Sequence, residues 1–178
     1  KVRGFYGNFS VLLKAFAYIL NMGPKGLREA AELSVLNANY MAHELEKIPG
    51  LKMPYSTSKP RKHEAVLSAS VMNKKTGVRA LNVSKRILDF GMHAPTTYFP
   101  LIVDEALMIE PTETETKEDL DRYIESIKII SKEAFSSPKT VQQAPSSTSV
   151  SRLDEVKASH PKTLCLTWKM FLEKEKKA

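Results

Sequence analysis

The sequence contains one cysteine, Cys165, and no long uninterrupted apolar run. A single thiol excludes an internal disulfide and any zinc module built from several cysteines. No apolar stretch approaches the roughly 18 residues that a membrane-spanning helix needs, and the first residues lack the pattern of a secretory signal. We therefore expect a cytoplasmic protein without membrane contact, and the scarcity of cysteine agrees with a reducing compartment.

The sequence also lacks the usual ingredients of a catalytic site. It has no glycine-rich phosphate loop and no serine in a nucleophile-elbow pattern. Its four histidines never lie three or four residues apart, so they form no helical metal pair. From the residues alone we expect neither a metal site nor a catalytic residue in this chain.

What is present is the composition of a folded domain. The chain has 178 residues, of which 42% are hydrophobic and 26% are charged, and these values are typical of one globular domain. It begins with Lys1 rather than with methionine. We therefore expect either a trimmed product or a fragment of a longer protein.

Charge is distributed unevenly along the chain, whose net charge is +7. Residues 1–103 contain 15 lysines and arginines against 6 acidic residues, whereas residues 104–135 contain 4 against 10. The basic residues are scattered and no aromatic residues alternate with them, which argues against a stacking surface for nucleic acid. The first interpretation is a solvated basic surface, and the alternative is a free-standing module that binds an acidic protein or nucleic acid.

The first 50 residues are predicted to form two helices. Residues 10–21 are apolar on every face and begin at Ser10, a good N-cap, which predicts a short buried helix. Residues 23–26, Gly-Pro-Lys-Gly, predict a break. Apolar residues at helical spacing predict a second helix over 27–47, so that the two elements form a helical hairpin.

The next part of the chain alternates strands and helices. A strand is predicted over 63–70, a third helix ends at Gly91, and two short strands follow over 98–103 and 106–109. A capping-box-like start at Thr116 predicts a fourth helix. This order predicts an α+β fold in which a helical hairpin precedes a small, mainly antiparallel sheet with helices on one face.

The chain changes character after residue 135. Ten of the 16 residues over 136–151 are Ser, Thr or Pro, which predicts a linker that is flexible or lies along the surface. We expect residues 152–178 to be a C-terminal extension with a last strand over 164–168, in which Cys165 is a core residue. The predicted domain therefore spans residues 1–135.

Two histidines lie where binding sites are commonly built. His63 opens the first predicted strand, and His93 follows the glycine that stops the third helix, just before Pro95. The alternative to a role in binding is structural: each histidine would hydrogen-bond a loop carbonyl. Glu110 follows an apolar strand, where we expect it to be partly buried and paired with a base, whereas the acidic residues up to Glu115 are expected to form a solvated loop.

Several segments of the sequence resemble one enzyme family. The most distinctive is HAPTTYFPLIVDEALMIEPTETETKEDLDRYIE, over 93–125. Others are VRGFYGNF over 2–9, HEAVL over 63–67 and VSKRILDFG over 83–91. Together they resemble the C-terminal part of glycine dehydrogenase (decarboxylating), the P-protein of the glycine cleavage system, in the subunit 2 form of two-subunit enzymes. The resemblance covers about residues 1–135.

This resemblance implies the small C-terminal domain of a fold-type I pyridoxal-phosphate enzyme. The cofactor-bearing lysine would lie upstream of Lys1, so this chain would hold no catalytic residue, bind no cofactor alone and be inactive alone. The complete enzyme would decarboxylate glycine and pass the aminomethyl group to the lipoyl arm of H-protein. The implied partners are the missing N-terminal part of the subunit, P-protein subunit 1 and lipoyl H-protein, with no nucleic acid and no membrane.

The resemblance also implies site residues. The matched motif positions suggest that His93, Thr96 and Thr97, and less strongly His63, form a wall of the substrate or cofactor cleft. Two further matched positions, Asn8 and Glu110, would support that wall. For all six, packing within the small domain is the competing explanation. The chain departs from the family pattern at Lys62 and Ala65, on either side of the His-Glu pair.

Overall fold

The computed structural model describes residues 4–55, 59–165 and 167–175. Its elements in chain order are α1 (Phe9–Leu45), β1 (Ala65–Ser68), α2 (Ser70–Thr76), α3 (Ala80–Asp89), β2 (Thr96–Thr97), β3 (Ala106–Ile109), α4 (Lys117–Ser136), α5 (Pro138–Gln142), α6 (Glu155–Ser159) and α7 (Trp168–Glu175). The predicted α+β class is confirmed.

The three strands form one antiparallel sheet in the order β1-β3-β2. Leu67 pairs with Leu107 on one face, where both side chains are fully buried. On the other face Met108 lies between Val66 and Thr96, and these side chains are only partly covered. Because side chains alternate along a strand, one face packs against the helices and the other borders open space, as predicted.

The core joins the packed face of the sheet to the last third of α1 and to α3 and α4. Its largest fully buried side chains include Met41, Leu45, Leu67, Ile87 and Ile127. Burial of each such side chain contributes roughly 1.5–3 kcal/mol relative to exposure. The sequence pattern placed most of these residues on the correct faces because their spacing follows the helix period.

Helix α1 differs from the predicted pair of helices separated by a loop. Its two helical segments meet directly at Gly23, whose φ of 62° and ψ of −178° are not helical. Glycine tolerates this conformation because it has no Cβ. Pro24 then starts the second segment, where its missing N–H costs no hydrogen bond. The predicted break is present, but it is a kink of one residue instead of a four-residue turn.

The first segment of α1 is apolar and also exposed. Phe9, Leu12 and Leu20 are 77%, 59% and 66% exposed, respectively. The prediction that this helix is buried fails within the described chain, because only the second segment, from Ala38 onward, contributes buried residues to the core.

The strand predicted over 98–103 is replaced by a turn. Strand β2 is Thr96–Thr97, and the next residue, Tyr98, has a φ of 58°, which ends the extended conformation. Glu105 has a φ of 50° and closes the turn before β3. Positive φ at a residue other than glycine is uncommon, and nothing in the local sequence pattern signals it.

Glu105 is a buried carboxylate that holds three segments together. One of its oxygens accepts a hydrogen bond of 2.6 Å from the Ala80 backbone N–H. The other accepts hydrogen bonds of 3.2 Å from Asn73 Nδ2 and Arg79 Nε. A buried charge is costly unless such donors compensate it, so the turn before β3, the middle of α2 and the start of α3 are linked through one side chain.

The Ser/Thr/Pro-rich segment lies against the body of the fold. Val141 of α5 and Ala144 are fully buried. Asp89 at the end of α3 accepts hydrogen bonds of 2.7 Å from the backbone N–H groups of Ser146 and Ser147. This segment therefore continues the packed structure beyond residue 135, while the division of the chain at that residue stays a prediction.

The last predicted strand, over 164–168, is wrong where the structure describes it. The Leu164 backbone N–H donates to the His160 carbonyl, as in a helical turn, and α7 begins at Trp168. Cys165 is exposed and is therefore not a core residue. Among the described residues no strand lies beside this segment, so its apolar side chains have no sheet to join.

Candidate functional site

A cavity of about 530 Å³ opens beside the less covered face of the sheet. It lies between the start of β2, the end of β3 and the first half of α4. Its polar and charged lining consists of His93, Thr96, Glu110, Thr112, Glu115, Asp119, Arg122 and Tyr123.

The segment that carries His93 is positioned by the end of α3. Gly91, with a φ of 70°, turns the chain out of the helix, and the Met92 backbone N–H donates back to the Ile87 carbonyl. Thr96 then pairs with Met108 in the sheet. Because side chains alternate along the strand, Thr96 faces the cavity, whereas Thr97 lies on the face of Leu107 and is absent from the lining.

The acidic loop after β3 also lines the cavity and is held by α1. Asn37 Nδ2 donates to the carbonyls of Thr112 and Glu115, at 2.9 and 3.3 Å. Tyr18 donates its hydroxyl to Glu113 at 3.4 Å. The loop that we expected to be merely solvated is therefore fixed to a helix at several points.

The lining carries more negative than positive charge. Its carboxylates are Glu110, Glu115 and Asp119, and they face the guanidinium of Arg122 and the imidazole of His93. Asp119 lies 3.6 Å from Arg122 and accepts a hydrogen bond from the Thr116 hydroxyl. A cavity of this kind suits a polar or cationic group better than an anion.

Tyr123 and Met41 also line the cavity. Burial raises the pKa of the Tyr123 hydroxyl well above its ordinary value. Sequence reasoning assigned Tyr123 to the core stripe of the fourth helix and missed Arg122 and Asp119. Their spacing along one helix face was the available signal, since residues three or four apart are neighbours.

A second polar cluster fixes α1 against α4 next to the cavity. Tyr40 donates a short hydrogen bond to Asp121, and Lys117 Nζ lies 2.6 Å from the same carboxylate. The hydrogen bond from Lys117 is the main cause that lowers the pKa of Asp121, and the hydrogen bond to Asp121 raises the pKa of Tyr40. This cluster holds the two helices whose side chains line the cavity.

The structure brings together three of the six predicted site residues: His93, Thr96 and Glu110. Glu110 is exposed, so the expected partial burial is wrong. His63 lies outside the cavity, is exposed, and has its Nε2 3.5 Å from Glu64.

Asn8 is the N-cap of α1. Its side-chain oxygen accepts hydrogen bonds from the Ser10 and Val11 backbone N–H groups, at 3.0 and 3.3 Å. It is also outside the cavity lining.

In the described part of the chain, no three His, Cys, Asp or Glu side chains are grouped so that they could hold a metal ion. Nor does any described helix combine the length and apolarity needed to cross a membrane.

Comparison with known proteins gives clear sequence relatives. The family described as glycine dehydrogenase, C-terminal domain, matches residues 30–152. A probable glycine dehydrogenase (decarboxylating) subunit 2 from Pyrococcus abyssi is 54% identical over 177 residues, which are 99% of this chain and 34% of that protein. A protein of the same name from Thermotoga maritima is 54% identical over 159 residues, 89% of this chain and 33% of the relative.

A solved structure agrees with these relatives. It is the crystal structure of a glycine decarboxylase (P-protein) of the glycine cleavage system in inhibitor-bound form, with a TM-score of 0.60 and 26% identity. The match covers 72% of this chain and 28% of that one. This chain spans about a third of the length of the curated relatives. By sequence and by structure, the chain belongs to the family of glycine dehydrogenase C-terminal domains.

Proposed function

We propose that this chain is the C-terminal part of a glycine dehydrogenase (decarboxylating) subunit 2, and that it works only with the rest of that subunit. The observation that carries the proposal is the 54% identity to such a subunit over 99% of this chain. In this proposal the complete enzyme decarboxylates glycine and passes the aminomethyl group to lipoyl H-protein, with P-protein subunit 1 as a further partner. The comparisons do not support the alternative of a free-standing basic binding module.

The exposed first segment of α1 supports this proposal. Its large apolar side chains form a continuous exposed surface from Phe9 to Leu20. Soluble proteins rarely leave such a patch open unless another structure covers it. The relatives are about three times as long as this chain, so their additional sequence is sufficient to provide that cover.

The cavity beside β2 and β3 is proposed to be one wall of the active-site cleft. His93 and Thr96 present polar side chains at the cavity surface, and Glu110 lines the same cavity. Thr97 and Asn8 would support this wall indirectly, through the packed face of the sheet and through the start of α1. His63 would contribute only if the cleft extends to the beginning of β1.

The cavity does not fit pyridoxal phosphate by itself. A phosphate group requires cations or free backbone N–H groups, whereas the described lining contains three carboxylates, one arginine and no lysine. We propose that the cofactor is bound by the remainder of the enzyme, which would also supply the Schiff-base lysine. We propose that the protein is located in the cytoplasm. The proposed partners include neither nucleic acid nor a membrane.

The proposal is tested with the complete subunit 2 assembled with subunit 1 and lipoylated H-protein. We expect His93→Ala and Thr96→Ala each to lower glycine decarboxylation at least tenfold, because misplaced groups at a cleft wall disturb orientation of the reacting groups. His160→Ala is the matched control, since His160 is exposed and lies outside the cavity. Full activity of both cavity variants would refute the proposal that this cavity is a wall of the active-site cleft. An inactive wild-type assembly would refute the proposal that the complete protein is a glycine dehydrogenase.

A further inference from the structure

A second cavity, of about 800 Å³, lies between the end of α1 and the second half of α4. We call it the lysine groove, and it is lined by Glu44, Lys47, Ile48, Pro49, Lys128, Ser131, Lys132, Phe135 and Ser136. It shares no residue with the cavity beside β2 and β3.

The floor of the lysine groove is apolar. The Ile48 side chain is buried beneath it, while the Phe135 ring is 42% exposed to the groove side. Ser131 Oγ donates a hydrogen bond of 2.6 Å to the Pro49 carbonyl and so joins the two walls. The partly exposed Phe135 ring provides an apolar contact surface.

The rim of the groove is positively charged. Lys47, Lys128 and Lys132 contribute three ammonium groups, against one carboxylate from the lining, Glu44. Glu44 lies 2.7 Å from Lys47, and the hydrogen bond from Lys47 lowers the pKa of Glu44.

The remaining two lysines differ in their pairing. Lys128 lies 3.4 Å from Glu125. Within residues 4–55, 59–165 and 167–175, Lys132 has no carboxylate at ion-pair distance. Lys128 and Lys132 lie before the last turn of α4, so the favourable position of cations at helix ends does not account for them. It does account for Lys47, which lies just beyond the end of α1.

We propose that the lysine groove binds a small amphipathic anion, a carboxylate with a hydrocarbon chain. The chain would lie on Pro49 and Phe135, which are exposed, and the carboxylate would accept hydrogen bonds from the ammonium groups of Lys132 and Lys128. The volume lies within the range of small-molecule pockets, about 300–1,000 Å³. A protein partner is less suitable, because a stable interface buries about 800 Å² on each side and the apolar floor here consists of three side chains.

The test is calorimetric titration of the complete subunit with octanoate, acetate and 1-octanol. Octanoate is expected to bind with one molecule per subunit, more tightly than acetate, which lacks the chain, and more tightly than 1-octanol, which lacks the charge. Its affinity should fall as salt rises, because the charged head is held at an exposed rim. The proposal is overturned if octanoate shows no saturable binding or if acetate binds equally well. Absence of octanoate binding is also the result expected if a protein segment covers the groove in the complete subunit.

Matched variants locate the site. Lys132→Gln should weaken octanoate binding about tenfold, which corresponds to about 1.4 kcal/mol, and Lys132→Arg should restore most of the affinity. The control is Lys74→Gln, which removes the same charge from an exposed position outside the groove. If Lys132→Gln and Lys74→Gln have equal effects, the anion is attracted by net charge alone and the proposed site is overturned.

Discussion

The first segment of α1 and the segment over 138–147 show opposite relations between composition and burial. The first is almost entirely apolar but exposed, whereas the second is rich in Ser, Thr and Pro but contains the fully buried Val141. Burial depends on which neighbours a segment meets and not on its average hydropathy. An apolar segment without neighbours indicates a surface that something else covers, and a polar segment with good hydrogen bonds can belong to the body of the fold.

The largest expected effect is a difference in the free energy of unfolding when one apolar side chain from each segment is truncated. Val141→Ala removes two fully buried methyl groups and should destabilise the 178-residue chain by about 2 kcal/mol. Leu12→Ala removes more carbon from an exposed position and should change stability by less than about 0.5 kcal/mol. Urea unfolding of both variants measures the difference.

The same two substitutions, Val141→Ala and Leu12→Ala, are then introduced into the complete subunit as a control. There Leu12→Ala should become destabilising, because the rest of the subunit is proposed to cover that surface. An unchanged stability of Leu12→Ala in the complete subunit would contradict this cover. An equal cost for both variants in the short chain would contradict the comparison itself.

The next effect is confined to the segment over 138–147 and concerns its acid stability. Burial opposes ionisation of Asp89, but hydrogen bonds from Ser147, Arg86 and Ser146 outweigh it and lower its pKa to about 2. A carboxyl group with a depressed folded-state pKa stabilises the fold above its unfolded pKa of about 3.9, and this contribution is lost as pH falls toward 2.

The contribution of this ionisation is roughly 2 kcal/mol. We therefore expect the amide NMR signals of Ser146 and Ser147 to stay at their native positions down to about pH 3 and to shift near pH 2. Asp89→Asn should remove this transition. A midpoint near pH 4 in the wild-type chain would show that the segment is not held by the ionised carboxylate.

The smallest expected effect is at the start of the exposed segment. Asn8→Ala removes the N-cap of α1 and should cost about 1 kcal/mol of helix stability. Because the segment packs on little else, the loss should appear as local fraying over 9–13 and leave the urea midpoint nearly unchanged. Amide exchange over those residues measures it, and Asn8→Ser, which retains a capping oxygen, should restore protection.

Much of the fold was predictable because local signals agreed with the final packing. Gly91 and Thr116 mark helix boundaries that the structure contains, and the apolar pattern over 106–109 is β3. The end of β2 was not predictable, because it depends on the positive φ of Tyr98 and on the distant partners of Glu105. Long-range contacts of this kind leave no trace in a short window of sequence.

The candidate site was only partly predictable. His93 and Glu110 attracted attention because each adjoins the end of a regular element, and the structure places both at one cavity. Arg122 and Asp119 lie on a helix whose register against the sheet cannot be derived from spacing alone. Thr97 was predicted to line the site but does not. Its neighbour Thr96 faces the cavity, and because side chains alternate along a strand, Thr97 faces the other side of the sheet.

The buried carboxylate of Glu105 also has a consequence for hydrogen exchange. The first N–H groups of a helix normally lack an intrahelical acceptor and exchange readily with solvent. At α3 the Ala80 N–H is bonded to Glu105, which also binds groups from two other positions. Exchange of the Ala80 amide hydrogen therefore requires that several segments separate together. We expect this amide to be among the most slowly exchanging backbone groups of the domain.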